Sequence, residues 1–521
     1  MDVAVIGAGI AGLSAALRLA AAGLSVTVFE KEARPGGKMR RVRVGDAEID
    51  AGPTVFTKRA VFDELFALAG ERIDDHLTIR PCETIARHVF ADGASLDLFT
   101  DQGRSARAVA DFAGAGAARD YRRFMESAFE TLDLLDPIFM SAERPKNPLD
   151  LTMRAGLSGA LKMARIGANR SYFDALTRAF SDKRLRALFA RYTTYVGSSP
   201  FEAPSTLRLI AAVEAAGVWR IEGGMARLAE ALADLAERKG VVLRYGAKVE
   251  RIAISGGAAR GLELAGGERI EAGAVLANCD TEALASGLFG APAAAAVDPP
   301  LAVRDKSLSA IGIALKAKVS GRELIHHNVF FAADPLLEFH QIFEGRRLPS
   351  APNVYVCAED RGEAGEDPPS GPERLFLIVN APAQAGASQT FDRQEIETCV
   401  TAAFSTLAAS GLRLEWAPGD RHLSTPSDFA ALFPGTGGAL YGRASHGSTA
   451  SFQRPAGRSK IRGLYLCGGS AHPGAGVPMA SLSGSLAASA IVTDRASTSV
   501  SRRGAMPGGI ATRSPTKAPS V

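Results

Sequence analysis

The stretch Val3-Ala4-Val5-Ile6-Gly7-Ala8-Gly9-Ile10-Ala11-Gly12 decides the fold. Its four apolar residues read as a buried strand, the glycines as a tight turn, and the alanine-rich run to about Gly23 as a helix. Strand, glycine turn and helix in that order bring a pyrophosphate against the N–H groups of a helix start. Gly7 permits the sharp turn, Gly9 removes a side chain that would block a phosphate, and Gly12 lets helix and sheet approach. A second strand, Val26–Phe29, ends in Glu30, with 17 residues between Gly12 and that carboxylate. Glu30 is placed to accept the ribose hydroxyls of an adenosine and to repel a 2′-phosphate, which disfavours NADP. An α/β class with a Rossmann-like nucleotide domain follows.

The remaining composition bounds the rest. A chain of 521 residues exceeds what one core usually supports, so two or three domains are expected, not necessarily contiguous. With 46% hydrophobic and 22% charged residues, global disorder is excluded. The net charge of +4 is carried by Arg502, Arg503, Arg513 and Lys517 in a stretch, residues 496–521, that has no acidic residue. The neutral remainder argues against nucleic acid, and the tail is expected to be a disordered basic end. Five scattered cysteines form neither a disulfide framework nor a close ligand cluster, and no metal site is expected. The N-terminus lacks a secretory pattern and no segment reads as a membrane span, so any membrane contact is expected to be peripheral.

Outward from Glu30, Arg34-Pro35-Gly36-Gly37 extends the pattern to Glu, three residues, Arg, one residue, Gly-Gly. This resembles the two-dinucleotide-binding flavoproteins of the amine-oxidase and phytoene-desaturase superfamily. The resemblance implies FAD, with Gly36 and Gly37 near its phosphates and Arg34 assisting. Residues 47–57 then form a short extended segment and a Gly52-Pro53 turn carrying Thr54 and Thr57. From about Asp101 to Ala216 the pattern is helical, including 118–135 and 171–191, with aromatics suited to a core or a long apolar cavity. Within it, Arg154, Lys162, Arg165 and Arg170 alternate with Leu157, Leu161, Met163, Ala164 and Ile166, a basic amphipathic segment suited to a lipid interface or to plain solvation. Short strands and turns follow Trp219–Met225, and Ala274–Asn278 reads as a strand returning to the nucleotide domain. Residues 307–348 read as mostly extended. His326-His327 carries no metal-ligand spacing, and 359–373 reads as an exposed loop.

Near the C-terminus, Leu464-Tyr465-Leu466-Cys467-Gly468-Gly469 leads through Ala471-His472-Pro473-Gly474-Ala475-Gly476-Val477-Pro478 into a helix expected over 479–492. Together with Asp50-Ala51-Gly52-Pro53-Thr54-Val55-Phe56-Thr57 and Trp219–Met225, this segment resembles the CrtI/CrtD-type bacterial carotenoid desaturases over nearly residues 1–495. Phe56 and the 471–479 motif are more similar to the acyclic 1-hydroxycarotenoid 3,4-desaturase branch than to the phytoene branch. The resemblance implies FAD-dependent removal of two hydrogens from an acyclic hydroxycarotenoid at C3–C4: hydride to the flavin, then a proton from the adjacent carbon. Phytoene or neurosporene desaturation, carotenoid isomerisation and noncatalytic flavin or carotenoid binding are the alternatives.

The resemblance further implies a peripheral enzyme on the cytoplasmic side of a bacterial inner or intracytoplasmic membrane. Its reduced flavin passes electrons to a quinone, oxygen or another acceptor. Its cofactor contacts fall on Gly7, Gly9, Gly12, Glu30, Arg34, Gly36, Gly37, Gly52, Pro53, Thr54, Gly468, Gly469, Gly476, Val477 and Pro478. Thr54, Thr57 and His472 are the side chains expected nearest the reactive ring, with no catalytic role assigned; the alternative for His472 is a hydrogen bond that anchors the glycine turn, and Asp50 is expected to hold its loop. The expected division is 1–75, 217–290 and 441–495 for FAD; 76–100 and 291–440 for a discontinuous mixed-sheet substrate domain; 101–216 for a helical lipid-facing insertion; and 496–521 for the tail.

Overall fold

The computed structural model describes residues 1–167, 170–384 and 390–504, with the backbone alone for Ala164, Arg165 and 498–504. Strand β1, Val3–Ile6, is buried throughout and pairs in parallel with β2, Val26–Phe29, on one side and Ala274–Ala277 on the other. Leu464–Leu466 and Val242–Arg244 extend this parallel sheet to five strands. A parallel sheet must be covered on both faces, which is why these strands are uninterrupted apolar runs. On one face lie helix α1, Ile10–Ala21, the helix Ala226–Arg238 and the closing helix Val477–Gly504, sharing a core with Leu13, Leu228, Leu232 and Ile491. Small residues let α1 and the closing helix touch, with Ser14 Oγ 2.9 Å from Ser481 Oγ. The other face packs Phe29 and Val275 against Ile252 and Leu262 of a three-stranded antiparallel sheet, Val249–Ser255, Ala258–Leu264 and Arg269–Glu271.

A second, eight-stranded mixed sheet is built around the long strand Ser309–Gly321, which pairs with Glu373–Ala381, Leu412–Glu415 and Arg421–Ser424. The sheet continues through Val354–Ala358 and His327–Phe330 to Thr84–Val89 and Ser95–Phe99, the pairing of His327–Phe330 with Thr84–Val89 being parallel. Alternation along Ser309–Gly321 sends Ile311, Ile313 and Leu315 into one core under the helix Arg393–Ala409, whose start is fixed by a capping box of Asp392 and Glu395. The opposite face meets a helical block in which Tyr121, Phe124, Phe180 and Phe189 pack together, the last two with rings stacked at 5.1 Å.

Three expectations are corrected. Residues 171–191 are two helices, Tyr172–Ala179 and Lys183–Ala190, because the Asp182 carboxylate accepts the N–H groups of Arg184 and Leu185 and starts a new helix there. The 307–348 segment is extended only through Ser309–Gly321 and His327–Phe330. It then coils into helical turns at Leu337–Phe339 and His340–Glu344, held to the sheet by buried Glu338, which accepts from Asn353 N at 3.0 Å and Asn380 Nδ2 at 3.1 Å. The closing helix runs beyond 492 to Gly504, so the first part of the expected tail is helical, and 505–521 lie outside the described residues.

Candidate functional site

One cavity of about 1600 Å³ lies between the parallel sheet, the large mixed sheet and the helical block. That exceeds the roughly 300–1,000 Å³ usual for a single small ligand. Of the expected cofactor residues, all but Gly12 line it, including both ends of the chain: Gly7, Gly9 and Glu30 with Gly468, Gly476 and Pro478. Gly12 stands behind the wall, where a Cβ would fall 2.2 Å from Gly7 O and 2.7 Å from Asn278 Nδ2. Gly52 is a backbone crossing of the same kind, its Cβ position lying 2.0 Å from Lys38 O. No side chain caps the start of α1 and no acidic residue sits in its first turn, while Gly9, Ile10 and Ala11 face the cavity. Such a helix start is suited to a phosphate.

Glu30 is buried at the end of β2, accepting from Ala8 N at 2.7 Å and Glu32 N at 2.9 Å, which fixes its carboxylate beside the glycine turn. Its oxygens keep acceptor capacity for a ribose. Arg34 stands at the rim, largely exposed, with Glu48 at 3.0 Å. Thr54 and Thr57 line the cavity, and Thr54 Oγ1 lies 2.7 Å from Tyr355 Oη, which in turn lies 2.7 Å from His327 Nδ1.

His472 does not line the cavity. Its Nε2–H donates to Ala142 O at 2.9 Å and its ring stands edge-on to Phe139, so it anchors the glycine turn to the helical block. Burial lowers its pKa to about 4, leaving a neutral imidazole.

The motifs that stand apart in sequence meet here. Trp219 N–H donates to Phe56 O at 2.9 Å, and the Asp50 carboxylate accepts Ala226 N–H at 3.2 Å while facing Arg41 at 3.4 Å. Asp50 thus holds its loop against the Gly223–Gly224 turn. Asp50 N–H donates to Glu359 at 2.7 Å; burial first, and the Asp50 charge second, raise the Glu359 pKa to about 8.

Several cavity residues carry no motif. Asn278 follows the return strand and donates to Gly7 O at 3.0 Å, and its position directly after that strand was the one available signal. Lys38, half-buried, donates to Leu440 O, and desolvation lowers its pKa, with Asp280 opposing. Arg454 is buried, its pKa lowered to about 10 by desolvation, and donates to Tyr441 O and Gly469 O at 2.9 Å each. Arg191, Tyr195, Glu214 and Tyr355 form a polar patch in a wall whose other members include Leu135, Ile210, Val213, Phe376 and Ile378. These residues are spread over several elements far apart in the chain, so no single spacing rule connects the patch.

The His326-His327 pair gains a third neighbour that spacing did not show, because cross-strand pairing sets Cys357 opposite His327. Donor atoms of the three lie within 4.8 Å of one another. His326 Nδ1 is occupied by Ala358 O and Arg361 O at 3.1 Å each. Burial and the Glu359 and Asp50 charges hold the Cys357 thiol well above its usual range, so it is protonated, its Sγ 3.8 Å from His326 Nε2.

At one end of the cavity the segment Pro148–Ile166 is two helical stretches meeting at a kink at Gly156, where φ is 68°. Leu151, Met163 and Ile166 look inward, whereas Leu149 and Met153 before the kink and Leu157 and Leu161 after it are exposed, Leu157 to 85%. Among the described residues no helix is long and apolar enough to cross a membrane.

The family model for flavin-containing amine oxidoreductases matches residues 10–492. The chain is 46% identical over 518 residues to hydroxyneurosporene desaturase of Rubrivivax gelatinosus, covering 99% of this chain and 97% of that one. It is 46% identical to the protein of the same name from Cereibacter sphaeroides, covering 95% and 98%. Among solved structures, wild-type putrescine oxidase bound to putrescine superposes with a TM-score of 0.54 at 17% identity over 94% of this chain and 99% of that one, a likeness of fold alone. With an uncapped helix start and glycine cradle opening on one large cavity, the chain belongs to the flavin-containing amine oxidoreductase family.

Proposed function

We propose that this protein is an FAD-dependent desaturase that removes two hydrogens from C3–C4 of an acyclic 1-hydroxycarotenoid such as 1-hydroxyneurosporene. The observation that carries the reading is a cavity of about 1600 Å³ that takes in both the amino-terminal glycine cradle and a largely apolar compartment, in a chain 46% identical across its length to two hydroxyneurosporene desaturases. It is read as a two-dinucleotide-binding flavoprotein. The parallel-sheet segments 1–75, 217–290 and 441–495 hold FAD; 76–100 and 291–440 form the substrate domain, and 101–216 form the lipid-facing insertion.

Bound FAD supplies the two-electron acceptor. The start of α1 would receive the pyrophosphate and Glu30 the ribose. Gly52–Thr54 and the Gly468–Pro478 turn would hold the ring system. Leu135, Leu151, Ile210, Val213 and Phe376 give a polyene an apolar bed and exclude water from the reacting carbons, so the chain contributes alignment more than acid–base chemistry.

A carotenoid is stored in lipid, and the exposed side chains Leu149, Met153, Leu157 and Leu161 beside the cavity, with Lys162 next to Leu161, are read as the docking face on an anionic bilayer.

The test is turnover of FAD-loaded protein in liposomes given 1-hydroxyneurosporene, neurosporene or phytoene separately. The expected product is the hydroxylated carotenoid less two hydrogens. Conversion of phytoene with none of the hydroxylated substrate overturns the reading in favour of phytoene desaturation, and a product of unchanged mass replaces it with isomerisation.

A further inference from the structure

We propose that Arg191, Tyr195 and Glu214 form the seat of the substrate's tertiary hydroxyl and thereby set the C3–C4 bond in register, an inference that rests on the desaturase reading above. A polyene needs no polar wall, and burying ionisable groups in an apolar cavity is costly unless something there uses them. Glu214, on the helix Leu209–Ala215, lines the cavity beside Ile210 and Val213 and is itself buried. Burial raises its pKa, and the nearby Tyr192 and Tyr195 hydroxyls and the Arg191 charge oppose that rise. Arg191 and Tyr195 come from the adjoining turn Arg191–Val196, and both line the same cavity. The Arg191 guanidinium lies 5.7 Å from the Tyr195 ring centre and 5.4 Å from that of Tyr355, which keeps it against the wall.

Chemistry and position then agree. A tertiary alcohol both donates and accepts, and the patch offers both partners: a carboxylate to take the O–H, and a guanidinium and phenol to meet the oxygen lone pairs. Tyr355 is the poorer candidate, since its hydroxyl is already engaged by Thr54 and His327 at 2.7 Å each. Those contacts do locate the patch, because Tyr355 joins it to Thr54 of the loop assigned to the cofactor. In a 1-hydroxycarotenoid the hydroxyl-bearing carbon is two bonds from C3, so whatever holds the hydroxyl must stand beside the ring-binding end of the cavity. The Arg191–Tyr355–Thr54 succession meets that requirement, and a phytoene-type hydrocarbon end has nothing to offer it.

The experiment compares wild-type holoenzyme with Glu214→Gln and Tyr195→Phe in liposomes. It measures kcat and KM for 1-hydroxyneurosporene and the inhibition constant of neurosporene, which lacks the hydroxyl; bound-flavin absorbance confirms an intact cofactor site. Loss of a hydrogen bond to a charged group predicts a rise of about tenfold or more in KM for Glu214→Gln and a smaller rise for Tyr195→Phe, with the neurosporene constant unmoved. Equal movement of both constants, or of neither, in the variant that retains flavin overturns the hydroxyl seat and leaves the desaturase reading standing. Wild-type protein that converts neurosporene and ignores the hydroxylated carotenoid overturns both.

Discussion

The two halves of the cavity are built from opposite materials. The half proposed to hold the cofactor is backbone and small residues: Gly7, Gly9, Gly36, Gly37 and Gly52, with Gly12 wedged behind them against Gly7 O and Asn278. The half proposed for the substrate is side chain: Phe376, Ile378, Ile210 and Val213, interrupted by the Arg191–Tyr195–Glu214 patch. A phosphate is recognised by N–H groups that every residue except proline carries, so the sequence records chiefly where side chains must be missing. A long apolar molecule with one hydroxyl is recognised by side chains drawn from many elements, and each is replaceable by others of like shape. The first half should therefore fail all at once when one atom is added, and the second by degrees.

The largest effect is expected at Gly12→Val. A Cβ there overlaps backbone oxygen at 2.2 Å and an amide at 2.7 Å, neither of which can withdraw without opening the turn. The purified variant should carry essentially no flavin, measured as the visible absorbance per protein. A Gly12→Val protein with a full complement of FAD would break the distinction between the two halves.

Replacing both Leu157 and Leu161 with Glu should come next. Both side chains point outward, so the fold and bound flavin should be kept while co-sedimentation with anionic vesicles is largely lost. Turnover should drop for carotenoid in liposomes and be retained for carotenoid dispersed in detergent. Equal loss in both media would mean these side chains pack within the protein.

Tyr355→Phe sharpens the boundary between the halves, because it removes the link from Thr54 to His327 and keeps the ring under Arg191. About a tenfold fall in kcat with flavin content intact is expected, on the scale of one or two buried hydrogen bonds.

The smallest effect concerns pH. The Glu359 carboxyl has its pKa raised from 4.5 to about 8, chiefly by burial and then by the Asp50 charge. The folded chain therefore holds a proton that the unfolded chain releases, and stability falls as pH rises between those values. Glu359→Gln should make the decline of melting temperature over that window shallower, by no more than a few kcal/mol in stability, and a decline as steep as that of the wild type would contradict the assignment.

These differences explain what the sequence made legible. The strand–turn–helix at Val3–Ala21, the return at Ala274–Ala277 and the glycine bend after Leu466 were readable because backbone geometry demands particular residues at fixed offsets. The helix break at Phe180–Asp182 and the turns at 337–344 were not, since a side-chain cap in one case and the distant Asn353 and Asn380 in the other outweighed local periodicity. His472 was placed in the right turn but on its outer side, where Ala142 O holds it. Glu214 and Arg191 looked like ordinary residues of a helical region; only the fold sets them in one wall with Tyr355.

The central claim is that one cavity seats the flavin and a hydroxylated polyene together. Its most direct test is anaerobic mixing of FAD-loaded protein with 1-hydroxyneurosporene in liposomes, following the flavin spectrum and the product mass together. The account predicts loss of the oxidised-flavin absorbance in step with a carotenoid lighter by two hydrogens. A flavin that stays oxidised while the hydroxylated carotenoid is recovered unchanged would contradict it.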